Sequence, residues 1–263
     1  MNQKIYIQDA IVLEKNIISE DYFTIKVKLL ENSITKGINI EPGQFAHISI
    51  INSLCNFNIR RPFSIMDYDD EGNLYFFIKK IGKITSYLFN NENIKINLIF
   101  PLGNYFNFNK TNTNNFLLVA GGSGIAPILF LAKMMYKKNL NYNVLIGLQN
   151  SKLIDFLNSF IFLKDKLFIS TEDGSFGEKC LVSEHSLLKN IRNFDKIFIC
   201  GPKEMIKKIA LIANKNNVEC EFSLENYMLC GIGVCLGCIQ KTKDGFKCVC
   251  TNGPIFNSNY IIW

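Results

Sequence analysis

Three cysteines in the last third of the chain have a spacing that suits metal chemistry. Cys230, Cys235 and Cys238 form a C-x4-C-x2-C pattern, which is the spacing of plant-type [2Fe–2S] sites, where a distant fourth cysteine completes the set. Glycines at positions 231, 233 and 237 let a short loop wrap closely around a cluster. Cys248 and Cys250 are both candidates for the fourth ligand. The spacing predicts a [2Fe–2S] cluster, with structural zinc or a redox disulfide as the alternatives.

A second group of residues suits phosphate and flavin chemistry. Arg60-Arg61-Pro62-Phe63-Ser64 places two of the three arginines of the chain on one candidate strand. An Arg guanidinium binds a pyrophosphate through paired hydrogen bonds, and a serine hydroxyl three residues further on can reach a flavin ring nitrogen. Downstream, Gly82-Lys83-Ile84-Thr85 opens a candidate helix, whose free N–H groups suit a phosphate. Taken alone, each motif also fits an ordinary strand face or turn.

A glycine-rich turn indicates a nucleotide site. Gly121-Gly122-Ser123-Gly124 joins a buried strand to a helix, and such a turn lets a pyrophosphate approach the helix N-terminus. Thr171–Ser175 and Cys200-Gly201-Pro202 follow later strands of the same predicted sheet, and ligands of open α/β sheets bind beyond the carboxyl ends of the strands. No acidic residue closes the second strand, so this pattern does not separate NAD from NADP. The candidate cofactor-binding residues are Gly121, Gly122, Gly124, Cys200 and Gly201.

The first hundred residues must position the arginine motif, and they have the pattern of short strands. Segments rich in Ile, Phe and Tyr alternate with turn signals such as Glu41-Pro42-Gly43, which is typical of a small antiparallel barrel. One helix is predicted at Thr85–Asn91, with Thr85 as its N-cap. The six predicted strands are Tyr6–Leu13, Tyr22–Leu29, Gln44–Ile50, Phe63–Asp67, Leu74–Lys80 and Ile94–Ile99.

The pattern changes after a polar, linker-like stretch at Asn107–Asn115. Strands then alternate with helices, which predicts a parallel sheet with crossover helices. We therefore predict three domains, a β-barrel at 1–108, an α/β domain at 116–222 and a small cysteine-bearing domain at 223–263. The predicted strands are Phe116–Ala120, Asn143–Gly147, Leu167–Ser170 and Lys196–Cys200, and the predicted helices are Ala126–Lys138, Lys152–Phe160, Ser183–Asn190 and Lys203–Asn216.

Composition narrows the classes of function. The net charge of +6 comes from 29 basic and 23 acidic residues, and the basic residues are mostly scattered lysines, which argues against a nucleic-acid partner. No apolar run approaches the ~18 residues of a membrane span, and the N-terminus lacks a signal-peptide pattern. We therefore expect a cytoplasmic protein. Five of the nine cysteines lie between Cys230 and Cys250, which favours a metal site over a disulfide framework, and we expect Cys55, Cys180 and Cys220 to be buried.

Taken in order, the motifs resemble those of one superfamily. The order is R-P-x-S, G-x-x-T, P-L-G-N, G-G-x-G-I-x-P, D-G-S-x-G, C-G-P and C-x4-C-x2-C, which is similar to the ferredoxin–NADP reductase superfamily over nearly the whole chain. Ser223–Cys235 resembles the S-[LM]-E-E-R-M-x-C-G-x-G-x-C segment of the electron-transfer subunits of class 1B dihydroorotate dehydrogenases. Cys248–Phe256 resembles their V-C-x-D-G-P-V-F tail. Within the superfamily, the chain is thus similar to that family.

The resemblance implies a fold, cofactors and a partner. The fold would be a six-stranded antiparallel FAD-binding barrel, a parallel-sheet NAD-binding domain and a small [2Fe–2S] domain. In the family, an FMN-containing catalytic subunit oxidises dihydroorotate, and electrons pass through [2Fe–2S] and FAD to NAD+ in de novo pyrimidine (UMP) biosynthesis. We expect a heterotetramer with such a subunit. The chain would have no catalytic residue of its own, because the cofactors carry the chemistry.

The family's motifs, carried onto this chain, imply residues for each cofactor. The fourth cluster ligand of the family directly precedes x-D-G-P, which selects Cys250 over Cys248. The implied cluster ligands are therefore Cys230, Cys235, Cys238 and Cys250. The implied FAD-binding residues are Arg61, Pro62, Phe63, Ser64, Phe77, Ile78, Lys79, Ile84 and Thr85.

Departures from the family's pattern leave two other interpretations to compare. Ile84 replaces the second glycine of G-x-G-T, and Asn226 and Tyr227 replace Glu and Arg. One alternative is a flavin and iron–sulfur subunit of another NAD(P)H oxidoreductase, namely NADH-dependent ferredoxin:NADP oxidoreductase (sulfide dehydrogenase) or anaerobic sulfite reductase. The cluster motif of the former has Asp where this chain has Cys230, which favours the dihydroorotate family. The other alternative is a zinc-stabilised binding module, which predicts zinc without iron and no flavin.

Overall fold

The computed structural model describes residues 4–30, 39–51, 59–108 and 115–263. Its first half forms one antiparallel sheet whose two end strands follow each other in the chain, so that the sheet curves back as a half-barrel. The elements are β1 (Tyr6–Ile17), β2 (Tyr22–Leu29), β3 (Phe45–Ile50), β4 (Arg61–Ser64), β5 (Asp67–Tyr68), β6 (Leu74–Lys79), α1 (Lys83–Asn90) and β7 (Lys95–Leu102). The order across the sheet is β4-β3-β7-β1-β2-β6-β5.

The barrel forms because its strands alternate inward and outward side chains. On β7, Ile96, Leu98 and Phe100 are buried. Lys95 is exposed, and the alternate positions 97 and 99 are only partly buried. This period of two is the pattern of a strand with one face in the core. The prediction of an antiparallel barrel in the first hundred residues is confirmed.

One predicted barrel strand is split in two. The segment Phe63–Asp67 is predicted as a single strand, but Phe63 and Ser64 pair with β3, whereas Asp67 and Tyr68 pair with β6. The chain leaves β3 and joins β6 between these two pairs. At this point the N–H of Ile65 donates to the carbonyl of Gln44, the residue before β3. The sheet of the described residues therefore has seven strands in place of the six expected.

A carboxylate organises the turn between β5 and β6. Asp69 accepts hydrogen bonds from the backbone and side-chain N–H groups of Asn73 and from the hydroxyl of Tyr75. It also forms an ion pair of 3.4 Å with Lys26. Burial raises the pKa of Asp69, but these hydrogen bonds outweigh it and lower the pKa to about 2. The turn is therefore stabilised at neutral pH.

The second half alternates strands and helices, as predicted. Its elements are β8 (Asn115–Gly121), α2 (Ile125–Lys137), β9 (Asn141–Leu148), α3 (Ile154–Asn158), β10 (Leu167–Thr171), β11 (Glu178–Lys179), β12 (Lys196–Cys200), α4 (Lys203–Lys215), β13 (Glu219–Ser223), β14 (Ile239–Thr242), β15 (Gly245–Cys248), α5 (Val249–Asn252) and β16 (Ile255–Asn257). The sheet order is β11-β10-β9-β8-β12-β13-β16, and β14 and β15 form a separate hairpin. All pairs of the large sheet are parallel except β13 with β16. The central strands β8 and β12 are buried almost throughout, as strands covered on both faces must be.

One predicted helix has a different form. Ser183–Asn190 is predicted as an α-helix, but the chain makes 3-10 turns at Val182–Glu184 and Ser186–Asn193. His185 between them has extended backbone angles, and its Nδ1 accepts the N–H of Leu187 at 3.1 Å. That side-chain acceptor ends the first turn and caps the second. None of the helices in the described ranges is long and apolar enough to cross a membrane.

Aromatic rings join the two halves. Phe77 of β6 stacks on Phe156 of α3 with ring centroids 5.3 Å apart. Tyr68 of β5 meets Phe130 of α2 edge to face at 5.9 Å. Such ring pairs add about 0.5–1.5 kcal/mol each to the burial of their surfaces. The barrel and the parallel sheet are therefore packed against each other along a boundary that also holds two cavities.

Candidate functional site

A cavity of about 580 Å³ lies where the barrel meets the second sheet. This volume is within the range of small-molecule and cofactor sites. Three separate elements, β4, β6 and the start of α1, supply one side of its wall. All nine residues predicted to bind FAD are in that wall, namely Arg61, Pro62, Phe63, Ser64, Phe77, Ile78, Lys79, Ile84 and Thr85. The fold thus brings the residues of three motifs to one place.

The two neighbouring arginines have different surroundings. Arg60 is half-buried and donates hydrogen bonds to the backbone carbonyls of His47, at 3.2 Å, and Asn97, at 2.9 Å. Arg61 lines the cavity, and its guanidinium donates only to the carbonyl of Arg60, at 3.0 Å, among the contacts described. Arg60 is therefore committed to holding the barrel strands together. Arg61 has donors left for a phosphate group in the cavity.

Helix α1 begins at the wall of the cavity, earlier than the sequence predicts. Its N-cap is Gly82, and Thr85 lies at the third helical position. The Thr85 hydroxyl accepts the N–H groups of Ile81, at 2.9 Å, and Gly82, at 3.0 Å. The prediction of Thr85 as the N-cap is therefore wrong, because the hydroxyl reaches back to residues that precede the helix. The first turn has no acidic side chain, so the positive end of the helix is open to an anion.

The opposite wall comes from the second half of the chain, and sequence reasoning assigned none of it to a flavin. The Oγ of Ser123, in the glycine-rich turn, lies 3.5 Å from Oε1 of Glu225. Burial raises the pKa of Glu225 above its usual value, and the hydrogen bond with Ser123 offsets only part of that rise. The resemblance of Ser223–Cys235 to a family motif was the available signal. The additional wall residues include Phe45, Ser123, Ser223, Leu224, Glu225, Asn226, Met228 and Pro254.

A second cavity, of about 380 Å³, lies beyond the carboxyl ends of the parallel strands. Gly121 and Gly122, at the end of β8, are in its wall, and so is Glu172, which follows β10. Lys79 lines this cavity as well as the first. The position matches the place where open α/β sheets bind nucleotides.

The other three predicted nucleotide residues lie outside the described wall of that cavity. Gly124 instead packs backbone to backbone against Cys200 and Gly201. A Cβ built on Gly124 would lie 2.2 Å from the carbonyl oxygen of Cys200 and 2.6 Å from the amide nitrogen of Gly201. No side chain fits between these atoms, so glycine at position 124 allows the two loops to meet.

The four predicted cluster ligands lie close together. Cys230, Cys235 and Cys238 belong to a loop without helix or strand, and Cys250 is in α5. The N–H of Cys235 donates to Sγ of Cys230, and the N–H of Cys250 donates to Sγ of Cys238, each at 3.4 Å. Such bonds stabilise the thiolate form, which is the form that binds metal. The donor set and its backbone donors fit an iron–sulfur cluster.

The thiol pKa values show the electrostatic character of this loop. Burial raises the pKa of Cys230, but three backbone N–H bonds, the first from Cys235, lower it to about 6. Burial, and then the neighbouring Cys238, raise the pKa of Cys250 to about 12. Several thiolates at this distance repel one another, and bound cations offset that repulsion. Within the described ranges, no three His, Cys, Asp or Glu side chains surround a single point suited to one metal ion.

The other cysteines differ in their surroundings. Cys248, the alternative fourth ligand, is partly exposed, its N–H donates to the side chain of Asn252 at 3.1 Å, and its thiol interacts with that of Cys238. Cys220 is buried, as predicted. Cys180 is partly exposed, so the prediction that it is buried is wrong; it directly follows the short edge strand β11. Cys55 lies outside the described residues.

A barrel histidine contacts the cysteine loop. His47, on β3, is fully buried, and a Cβ built on Gly231 would lie 2.7 Å from its Nδ1. Burial, followed by the charges of Arg60 and Arg61, lowers the pKa of His47 to about 4. The ring is therefore neutral near pH 7. No spacing in the sequence marks His47 as a functional residue.

The three candidate sites are adjacent. Met228 and Pro254 belong to the same segment as the four cysteines, and both line the first cavity. Lys79 lines the first and second cavities. The cysteine loop, the first cavity and the second cavity therefore follow one another in space, which suits transfer of electrons between three redox groups.

Exposed apolar side chains belong to the cysteine loop itself. Four of them are between 47% and 77% exposed, and exposed apolar groups gathered in one segment are typical of interaction sites. We call this group the loop patch. It consists of Leu229, Ile232, Val234 and Leu236.

Two family models match the chain. The iron–sulfur cluster binding domain of dihydroorotate dehydrogenase B matches residues 225–262, which include all four predicted cluster ligands. The FAD-binding domain matches residues 9–120, which include the strands of the barrel. Both matches fall on the regions where the structure places the corresponding residues.

Curated relatives match over nearly the whole length. The dihydroorotate dehydrogenase B (NAD(+)) electron transfer subunit of Clostridium acetobutylicum is 35% identical over 254 residues, covering 95% of this chain and 98% of that protein. The subunit with the same name from Fusobacterium nucleatum is 33% identical, covering 95% and 96%. The probable subunit from Methanocaldococcus jannaschii is 32% identical, covering 85% and 81%.

Solved structures show the same architecture. The NADH-dependent reduced ferredoxin-NADP oxidoreductase matches with a TM-score of 0.82 and 27% identity, covering 100% of this chain and 92% of that one. The ferredoxin reductase of carbazole 1,9a-dioxygenase matches with a TM-score of 0.69 at 19% identity, covering 83% and 68%, and shows the fold alone.

The fold and the sites define a class of protein. A FAD-binding barrel, an α/β domain with a cavity at its strand ends and an iron–sulfur domain together make a flavin oxidoreductase with the ferredoxin reductase fold. Its cofactors are FAD and an iron–sulfur cluster, with NAD as electron acceptor. Given the identity to relatives over nearly its whole length, the chain belongs to the family of dihydroorotate dehydrogenase B (NAD(+)) electron transfer subunits.

Proposed function

We propose that this chain carries electrons from the FMN of a catalytic subunit, which oxidises dihydroorotate, through a [2Fe–2S] cluster and FAD to NAD+. The observation that carries the proposal is the adjacency of the cysteine loop and the two cavities, with Met228 and Pro254 joining the first two and Lys79 the last two. The names of the relatives support the substrate and the place in pyrimidine biosynthesis.

FAD occupies the first cavity in this proposal and supplies the change between one-electron and two-electron transfer. Arg61 binds its pyrophosphate, because this guanidinium has free donors on the cavity wall. The start of α1, with Ile84 and Thr85, adds the favourable end of a helix dipole. Ser64 supplies a hydroxyl to the ring system. The apolar surface for the ring comes from Pro62, Phe63, Phe77, Ile78 and the stem of Lys79.

NAD+ occupies the second cavity. Gly121 and Gly122 let its pyrophosphate approach the backbone at the end of β8. Gly124, Cys200 and Gly201 hold the two loops together through their backbone contact, and so fix the position of this turn. Glu172, which follows β10, supplies a carboxylate to the same cavity, and a carboxylate is suited to accept hydrogen bonds from ribose hydroxyls.

The cluster is held by Cys230, Cys235, Cys238 and Cys250. The backbone N–H groups that already bond to these sulfurs support thiolate ligation. Cys250 is preferred to Cys248 because it directly precedes Thr251-Asn252-Gly253-Pro254, the position of the ligand in the family's motif, although the Cys248 thiol also interacts with Cys238. We also propose that residues 1–108, 116–222 and 223–263 form the FAD, NAD and cluster domains. Strand β16 of the cluster domain pairs with β13 and so completes the sheet of the NAD domain.

The loop patch is the docking surface for the catalytic subunit. Electron transfer into the cluster requires a partner on that side, and the exposed apolar residues beside Cys235 provide contact area for one. We propose an FMN-containing partner and a heterotetramer formed with it. A cytoplasmic location is also proposed, because five of the nine cysteines are gathered between Cys230 and Cys250, a pattern that favours a metal site in a reducing compartment over a disulfide framework.

A second candidate function is a flavin and iron–sulfur subunit of another NAD(P)H oxidoreductase. The match to the NADH-dependent reduced ferredoxin-NADP oxidoreductase, with a TM-score of 0.82 over 100% of this chain, favours this candidate. The cavities and the cluster loop would serve both functions. The two candidates differ in the reductant, which is dihydroorotate in one and reduced ferredoxin or NADH in the other.

The test uses the native complex, purified without oxygen together with its partner. Dihydroorotate is added while the flavin and cluster absorbance are followed, and NAD+ is then added while NADH is measured. We expect bleaching with dihydroorotate, followed by formation of NADH. A coloured complex whose absorbance does not change with dihydroorotate but is bleached by NADH would contradict a role in pyrimidine biosynthesis and support the second candidate.

Variants of two arginines test the flavin site. Arg61→Ala removes the proposed pyrophosphate ligand, and we expect it to lose FAD during gel filtration. Arg192→Ala is the control, because that arginine bonds to Asn216 at 3.0 Å in the second half and lies outside both cavity walls. Equal flavin content in the two variants would contradict the proposed role of Arg61.

A further inference from the structure

His47 is a buried polar side chain without a hydrogen-bond partner. It has no exposed surface, and neither Nδ1 nor Nε2 makes a hydrogen bond of ordinary geometry with a described residue, although the backbone of Cys230 is near enough to interact with the ring. A buried donor left unpaired is destabilising, and native proteins keep few such groups. The backbone of His47 is by contrast well held, since its carbonyl accepts from Arg60 at 3.2 Å. The position of the ring is therefore fixed while its own polar atoms remain available.

The ring faces the cysteine loop. A Cβ at Gly231 would come within 2.7 Å of Nδ1 and 3.2 Å of Cγ, so the ring lies directly against the backbone that follows Cys230. Gly231 has a φ of +72°, a conformation that suits glycine. The backbone of Cys230 is the polar group of the loop that interacts with the imidazole.

The same residue is joined to the flavin cavity. In the sheet, His47 is directly opposite Pro62 of β4, which lines that cavity. On its other side it pairs with Ile99 of β7. The imidazole therefore lies between the strand that carries the arginine motif and the loop that carries the first cysteine.

We propose that His47 is a positioning residue for the cluster, whose ring N–H is directed at the Cys230–Gly231 backbone and raises the cluster's reduction potential. This inference rests on the proposed cluster ligation by Cys230, Cys235, Cys238 and Cys250. Hydrogen bonds around the sulfurs are among the factors that set iron–sulfur potentials. An N–H dipole pointing toward the loop stabilises the electron added on reduction, and it orders the loop beside its first ligand.

The test measures the potential of the cluster rather than turnover. The full chain is purified anaerobically, iron and acid-labile sulfide are counted, and the cluster midpoint is determined by a dye-mediated titration followed by EPR. His47→Phe keeps a ring of similar shape and removes both nitrogens. His47→Gln keeps an N–H donor. His185→Gln is the control, because that histidine lies beside Phe168 and Glu178 in the second half of the chain.

We expect His47→Phe to retain the cluster, with its reduction equilibrium shifted about tenfold toward the oxidised form, which is 59 mV for one electron. His47→Gln should return the midpoint toward the wild-type value, and His185→Gln should leave it unchanged. If His47→Phe fails to load iron, a loaded His47→Gln with a near wild-type midpoint still supports the donor role.

Two results would overturn the inference. One is a loaded His47→Phe whose midpoint and EPR signal equal those of the wild type. The other is loss of iron from both His47 variants, because the ring would then be needed for its shape and not for its N–H. A wild-type chain without iron would instead contradict the proposed cluster itself, so the two failures are distinguishable.

Discussion

Gly124→Ala tests whether the contact between the glycine-rich turn and Cys200 controls the nucleotide site. The new methyl would lie 2.2 Å from the carbonyl oxygen of Cys200, whereas ordinary Cβ contacts begin at 3.4 Å, so the loops must separate by about 1.2 Å. The obstructing atoms belong to the backbone, which cannot rotate away as a side chain can. Forced overpacking of this kind typically costs about 1–3 kcal/mol.

The same separation displaces the turn that we propose to bind NAD. Because a misplacement of about 1 Å can reduce catalysis about 100-fold, we expect kcat/KM for NADH to fall about 10- to 100-fold in a ferricyanide reduction assay. FAD should be retained, since Arg61 and the start of α1, which we propose to bind its pyrophosphate, are on the barrel side of the first cavity. Each kcal/mol lost should lower Tm by about 2–4 °C.

Gly82→Ala is the matched control for the Tm measurement alone, because Gly82 lies in the wall of the first cavity. A Cβ at Gly82 meets nothing within 4 Å, and its φ of −142° suits any residue. We expect a Tm close to that of the wild type. The reasoning is refuted if Gly124→Ala has the Tm and the kcat/KM of the wild type, since the loops would then tolerate a methyl group that the structure leaves no room for.

Three further changes test the cluster, the core and the barrel turn. Cys250→Ser should lose the cluster while Cys248→Ser retains it, as iron content will show; retention by both would contradict the assignment. Phe198→Ala removes a fully buried ring packed against two others. It should lower the free energy of unfolding, measured in urea, by about 3–5 kcal/mol. A loss below about 1 kcal/mol would contradict the close packing of this ring. Asp69 has a folded-state pKa of about 2, below its usual 3.8, so its stabilisation is present above about pH 4 and is lost as the pH falls toward 2. Asp69→Asn should therefore cost up to about 2 kcal/mol at pH 7 and much less at pH 2.5; an equal cost at both values would contradict this linkage.

The sequence predicted the elements whose signal is local. Strands such as β2 and β12 and helices such as α4 carry their pattern within a few residues, and they were recognised from it. The switch of partner between Ser64 and Asp67 was missed, because it depends on which distant strand lies on each side. β13 and β16 were missed for the same reason, since β16 pairs with a strand far upstream.

The candidate site divides in the same way. Arg61 and the cysteines were found because motif spacing identifies them, whereas Glu225 and Pro254 entered the cavity wall through contacts between the two halves. The backbone contact of Gly124 with Cys200 is likewise non-local. His47 has no sequence signal at all, because its significance arises from burial against a loop that lies far away in the sequence.

The pairing of β16 with β13 has a consequence for the order in which the protein matures. During synthesis, the barrel and the parallel strands up to β13 leave the ribosome before the four proposed cluster cysteines do. β13 then presents an unpaired edge, which is a site for unwanted strand pairing, until β16 emerges and covers it. Because Cys250 lies in α5, shortly before that strand in the sequence, iron delivery and closure of this edge fall in the same interval. A shortage of iron should therefore leave newly made chains prone to aggregation, even though most of their fold is already in place.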